Sequence, residues 1–359
     1  MTKRFLIPLC ILGYLSPLYT AAAHGATVGY AAASCNLLVV GTVTTRTESS
    51  ANVSFDIVVQ RVLKGSAVSG PLHVSHPWNR GGIISGLPPI VTSAIDGIWC
   101  LQPGASTGWD VQVLNGPDGY IFDLYWPAAA TVPAAYQVQG GGLADTLLFE
   151  LAAGTEASGY NPEVAIGAAQ GAQSSSLQLV AQRFMSSPIP EFQIAGLMGL
   201  LPTQPSMIGS VSGLWPSISN NPRRSLLVFA IRDAFRDPAP SSIQQLVQLA
   251  SISPELREAA VRALAAIHTK ESLPFLATLL TSPDAEERSM AVFGLSSFAN
   301  VCPAETPANV QSMAYLQCAN SGPYSNPSTV ANSASPGMPS DQILAFWTNW
   351  WVQNQASLQ

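Results

Sequence analysis

Residues 253–268, SPELREAAVRALAAIH, and 282–299, SPDAEERSMAVFGLSSFA, read as two copies of one amphipathic helix, separated by a second apolar helix in ESLPFLATLL at 271–280. In the first copy Leu256, Ala260, Ala263, Leu264 and Ile267 fall on one helical face. Its alanines let a neighbouring helix approach closely, while Glu258 and Arg262 stand four apart on the other side in the favourable order. Asp284 and Arg288 repeat that spacing in the second copy.

Working outward, the same punctuation recurs. Pro190, Pro222, Pro254 and Pro283 each open an apolar-periodic run, at spacings of 32, 32 and 29 residues. Three of them follow a capping residue, Asn221, Ser253 or Ser282, so proline sits at the first helical position, where its missing N–H costs nothing. Leu197, Ile231, Leu264 and Leu295 keep one phase, at spacings of 34, 33 and 31. A two-helix unit repeating at this period predicts a solenoid over residues 174–299. Its partner helices are expected at 177–185, 243–250 and 273–280, with a less regular 206–218.

Residues 174–299 thus resemble HEAT-like α-solenoids, including those described as similar to phycobilisome lyases. The resemblance implies a repeat protein that presents a long surface to a macromolecular partner. Lyase chemistry does not follow from it, since function belongs to sites and not to folds.

Before residue 127 the period is two. Val53, Phe55, Ile57 and Val59 alternate with Ser54, Asp56, Val58 and Gln60, the pattern of a half-buried strand. Residues 37–43 are continuously apolar, as in a central strand. Further strands are expected at 72–75, 98–101, 109–114 and 120–126, with turns at Lys64-Gly65 and 115–119. The fold class is therefore α+β: a small β barrel or sandwich over 27–126, then an all-α HEAT-like solenoid. The run LLVVGTV, FDIVVQRVLKG, LHVSH resembles N-terminal β domains of exported bacterial proteins and is distantly similar to barrels of the OB type. Residues 127–173, with Gly140-Gly141-Gly142, are read as linker and connecting helix. Residues 300–339, rich in Ser, Asn and Pro, are read as a disulfide-pinned loop. A Trp-rich helix from Asp341 is expected to cap the last apolar face.

Residues 1–23 have the form of a secretory signal: Lys3 and Arg4, an apolar stretch, then Ala21-Ala22-Ala23 as a cleavage site. Pro8 and Pro17 interrupt the stretch, which falls short of the roughly 20 apolar residues of a membrane span. Cleavage would leave 13 basic against 21 acidic residues, a net of −8, a balance unsuited to nucleic acid. Export to the periplasm, envelope or medium is the expectation. Cys35, Cys100, Cys302 and Cys318 remain, an even set with three possible connectivities. Cys35 with Cys100 and Cys302 with Cys318 is the favoured pairing, the first lying within one β domain and the second closing a short loop.

No catalytic, metal or cofactor motif is evident, so none is assigned. His73 and His76, three apart on a strand, point to opposite faces and could share a metal only if the strand breaks at Pro77, against the plainer reading of surface residues at a strand end. The glycines of NRGGIISGLPPIVTSAIDG at 79–97 lack the Lys-Ser/Thr ending of a phosphate loop. Arg223, Arg224, Arg232 and Arg236 form the one basic concentration. Arg224, Arg232 and Arg236 are the candidate residues for a protein or acidic envelope polymer, weighed against simple charge balance with Asp233 and Asp237. Trp347, Trp350 and Trp351 form a stripe that reads first as packing. Trp78, Trp99, Trp109 and Trp126 could stack on sugars, with Trp78, beside the long loop, the candidate binding residue. The leading expectation is a non-enzymatic binding or scaffold protein. The alternatives are a purely structural envelope component, or an envelope hydrolase or lyase with a site near His73, His76 and Asp96 between the two domains.

Overall fold

The computed structural model describes residues 27–49, 52–66, 69–77, 96–104, 108–111, 113–115, 121–123, 125–136, 141–159, 161–218, 221–267, 269–298 and 341–358. The chain divides into two compact units, Met1–Leu200 and Leu201–Gln359. The boundary falls inside the helical stretch, so the first helices belong with the β domain.

The first unit is built on strands β1 Leu37–Glu48, β2 Asn52–Lys64, β3 Leu72–Pro77, β4 Asp96–Pro103 and β5 Trp109–Val111. They pair in the order β1-β2-β3-β5-β4, and β4 returns to β1, closing a five-stranded barrel in which β3 and β5 alone run parallel. Closure removes the exposed edges that an open sheet would present. The expected strand at 109–114 is broken: Val113–Asn115 (β6) leaves the barrel to pair with Ile121–Asp123 (β7), and Tyr125–Pro127 (β8) adds to β4.

The period-two pattern does what it predicts. Phe55 and Ile57 are buried in a core with Leu37, Val39, Val43, Val74, Trp99 and Leu101, while Val58, next along the strand and on its other face, is 44% exposed. Leu38, Val40, Ile98 and Cys100 alternate with that set and are also buried, which is why residues 37–43 read as one apolar run. Phe55 and Trp99 meet with ring centroids 5.2 Å apart, and the Trp99 indole donates to Gly41 O at 3.1 Å. Gly41 is required there, because a Cβ would lie 2.5 Å from Ile57 Cγ2 and 2.7 Å from Val58 O.

A helix absent from the sequence reading precedes the barrel. In α1, Val28–Ser34, the Thr27 hydroxyl accepts from Tyr30 N, and the Lys64 ammonium donates to the last-turn carbonyls of Ala32 (2.8 Å) and Ala33 (3.0 Å). The VLKG motif thus ends β2 and caps α1 at once, with Gly65 at φ 99° turning the chain away. Cys35, the C-cap of α1, is disulfide-bonded to Cys100 of β4, as expected.

Helices α2 Leu143–Ser158, α3 Glu163–Gly167, α4 Ser174–Met185 and α5 Pro190–Leu200 complete the unit. Gly142, read as linker, is the N-cap of α2, and its N–H donates to Asp145 Oδ2 at 2.8 Å. Helix α2 packs against β2, β4 and β8. Arg61 of β2 grips buried Glu150 of α2 through two hydrogen bonds of 2.7 and 3.0 Å, and donates to the Ala129 and Ala130 carbonyls. A charge so far inside is tolerable only because it is paired and fully hydrogen-bonded.

The second unit holds α6 Ser210–Leu214, α7 Asn221–Phe229 running into a π turn at Ala230–Ala234, α8 Pro240–Leu249, α9 Pro254–Ala266, α10 Leu273–Thr278, α11 Ala285–Phe298 and α12 Asp341–Leu358. The phase-keeping residues Leu197, Ile231, Leu264 and Leu295 are all fully buried. Ser253 caps α9, accepting from Leu256 N. Ahead of α11 the cap is Asp284, which accepts from Glu286 N at 2.7 Å, and Arg288 turns instead to the Ser282 and Pro283 carbonyls. Neighbouring α9 and α11 are linked by Arg257 to Glu287 and Arg262 to Glu286, and Arg262 also meets Glu258 at 3.3 Å as its spacing predicts. Helix α12 packs on α10, α11 and the turn at Leu279–Thr281, with Trp347 buried.

Candidate functional site

The three candidate arginines lie on α7, the π turn and the segment after it. Each is half-buried and engaged. Arg224 stacks over the Trp215 ring at 4.9 Å and donates Nε–H to Ile218 O at 2.7 Å. Arg232 lies over Phe229 at 5.3 Å. Arg236 donates to the carbonyls of Arg232 (3.0 Å) and Phe235 (2.7 Å), covering the open end of the π turn. The charge balance weighed against a binding role does not run through Asp237, whose carboxylate accepts from Ser242 Oγ and Ala239 N ahead of α8. The side chain of Asp233 lies outside the described residues.

These contacts hold the three guanidinium groups in place. An arginine held by stacking and by carbonyls loses little rotamer freedom when it pairs with a carboxylate or phosphate. Glu255, at the start of α9, feels the charge of Arg224. Its carboxyl is held below the usual range chiefly by hydrogen bonds within the helix start and to Ser253, and to a lesser degree by Arg224.

On the outer face of the barrel the structure assembles a cluster that spacing alone did not reveal. His73 of β3 lies opposite Asp56 of β2, with Nδ1 2.8 Å from Asp56 Oδ1, and Thr45 of β1 donates to Asp56 Oδ2 at 2.5 Å. The Thr45 hydroxyl and the His73 ring hold the Asp56 carboxyl below its ordinary value. On the same face Asp96 Oδ1 accepts from Thr42 and from Gln60, the latter at 2.6 Å. His73 and Asp96, candidates for an enzyme site, therefore belong to two separate hydrogen-bonded groups. An Asp–His pair can orient an imidazole as general base. Among the described residues, no group of three or more His, Cys, Asp or Glu could hold a metal.

The tryptophans separate by burial. Trp99, Trp126 and Trp347 are core residues, while Trp109, Trp350 and Trp351 are half-buried. Trp78, the His76 side chain, His268 and the expected pair Cys302 and Cys318 lie outside the described residues. No helix among the described residues is long and apolar enough to cross a membrane.

Residues 217–302 match the family of HEAT repeats, a span running from just before α7 to just past α11. No curated protein and no solved structure matches the chain.

Proposed function

We propose that the chain is an exported, non-enzymatic binding or scaffold protein whose HEAT-like solenoid recognises a protein or acidic envelope polymer. The observation that carries this reading is the match of residues 217–302 to HEAT repeats, which generally serve as protein-interaction modules. Arg224, Arg232 and Arg236 lie inside that span and supply immobilised guanidinium groups of the kind that pair with carboxylates. Export is supported by the signal-like residues 1–23 and by the Cys35–Cys100 disulfide, a bond that persists in oxidising compartments.

The test is affinity capture from the protein's own envelope extract, using the wild-type chain beside an Arg232→Glu/Arg236→Glu variant of verified thermal stability. A partner held by the wild type at low salt, released by high salt and lost by the variant carries the reading. A partner held equally by both would move the site away from the arginines. Hydrolytic activity that disappears in His73→Ala would replace this function with the envelope-enzyme alternative.

A further inference from the structure

One end of the barrel carries a cleft of about 500 Å³, formed where the chain enters β1, where β2 is joined to β3, and where β5 begins. Trp109, Leu72, Leu37 and Pro71 line it with apolar surface. Asn36, Ser66 and Ser69 are the polar side chains in its lining. Trp109 packs on one side against the barrel core and is half-buried, so part of its ring remains available to the cleft. Of the barrel-domain tryptophans with described side chains, Trp99 and Trp126 are consumed by the core, which leaves Trp109 as the aromatic platform.

The volume lies within the range of small-molecule sites. None of the side chains lining it carries a charge, so the cleft offers nothing that would favour an anion or a cation. It offers an aromatic ring, the aliphatic side chains of Leu37, Pro71 and Leu72, and serine hydroxyls that both donate and accept. A pyranose is the complement of that surface, with a C–H face for the indole and a ring of hydroxyls for the edge.

We infer that the Trp109 cleft is a binding subsite for a neutral saccharide of one or two rings, built into the barrel and distinct from the arginine surface of the helical unit.

The inference is tested by heteronuclear NMR of the full chain, following the indole N–H of Trp109 and the amides of Gly65, Ser66 and Ser69. The chain is titrated separately with cellobiose, maltose and diacetylchitobiose, and with hexanediol as an apolar control. Saturable shifts confined to those signals with at least one disaccharide, while the Trp99 indole stays still, are expected. A Ser66→Ala/Ser69→Ala variant, which leaves the barrel core intact, should weaken that sugar roughly ten-fold, the loss of two neutral hydrogen bonds, with an unchanged unfolding midpoint. The inference is overturned if all three sugars leave Trp109 unshifted at millimolar concentration. It is equally overturned if hexanediol binds as well as the best sugar, or if the double serine variant binds that sugar undiminished.

Discussion

Replacing Cys35 and Cys100 together by alanine removes the covalent tie between the end of α1 and strand β4, and its cost follows from the chain it closes. The two cysteines are 65 residues apart, and a cross-link over a loop of that length restricts the unfolded chain by about 4 kcal/mol at room temperature. Both residues are essentially unexposed, so the loss of two buried sulfurs adds a smaller packing penalty of about 1 kcal/mol. For a unit of this size that corresponds to a fall in melting temperature of roughly 12 °C. The assay is chemical unfolding of the full chain, followed by near-UV dichroism, to which buried Trp99 and Trp126 contribute, and by far-UV dichroism for the helices. The expected result is a lower midpoint for the transition of the Met1–Leu200 unit and an unmoved transition for the Leu201–Gln359 unit. A shift of less than about 1 kcal/mol, or an equal shift in both transitions, would refute the reasoning.

Three further outcomes rest on single contacts. Gly154→Ala in α2 would place a Cβ 2.1 Å from Pro127 O and 2.5 Å from Ala128 Cα. Overlap with backbone should destabilise the first unit by about 3 kcal/mol, outweighing a helix-propensity gain of about 1 kcal/mol, as read by thermal unfolding. Lys64→Met keeps the aliphatic stem but loses the two carbonyls of α1, and should cost about 1 kcal/mol; hydrogen exchange of the Ala31 and Cys35 amides should rise with it. Glu287 is held below its ordinary value of 4.5 first by Arg257, with Ser282 helping. A carboxylate with a depressed folded pKa stabilises at pH above its unfolded value, and that contribution is lost as pH falls through the folded one. Glu287→Gln should therefore cost about 1 kcal/mol at neutral pH, a figure kept small because Arg257 is 41% exposed. It should also flatten the acid limb of the stability curve below pH 4.5.

The elements that were legible in the sequence are those whose signal is periodic. The alternation around Phe55 and Ile57 and the fixed phase of Leu197, Ile231, Leu264 and Leu295 each report which side of an element is buried, and both faces are buried as expected. Serine before Pro254 foretold a cap for the same local reason. What spacing could not give is long-range pairing. Asp56 and His73 are 17 residues apart and meet only because β2 and β3 pair in one register. The split of the expected 109–114 strand is likewise a tertiary effect: Trp109–Val111 pairs with β4 and β3, while Val113–Asn115 goes to β7. Helix α1 was hidden because its sequence, VGYAAAS, is short and its C-terminal carbonyls are capped by Lys64, from another element. The candidate arginines were visible as a cluster, but their anchoring to Trp215, Phe229 and backbone carbonyls was not, since stacking leaves no regular spacing.

The central claim, that the helical repeats are the surface a partner occupies, is tested most directly by hydrogen–deuterium exchange of the full chain with and without its captured partner. Added protection is expected to concentrate in α7, α9 and the Ala230–Ala234 turn, to be reversed by high salt and to diminish in the Arg232→Glu/Arg236→Glu variant. Protection confined to the barrel strands, with the helical repeats exchanging as in the free protein, would contradict it.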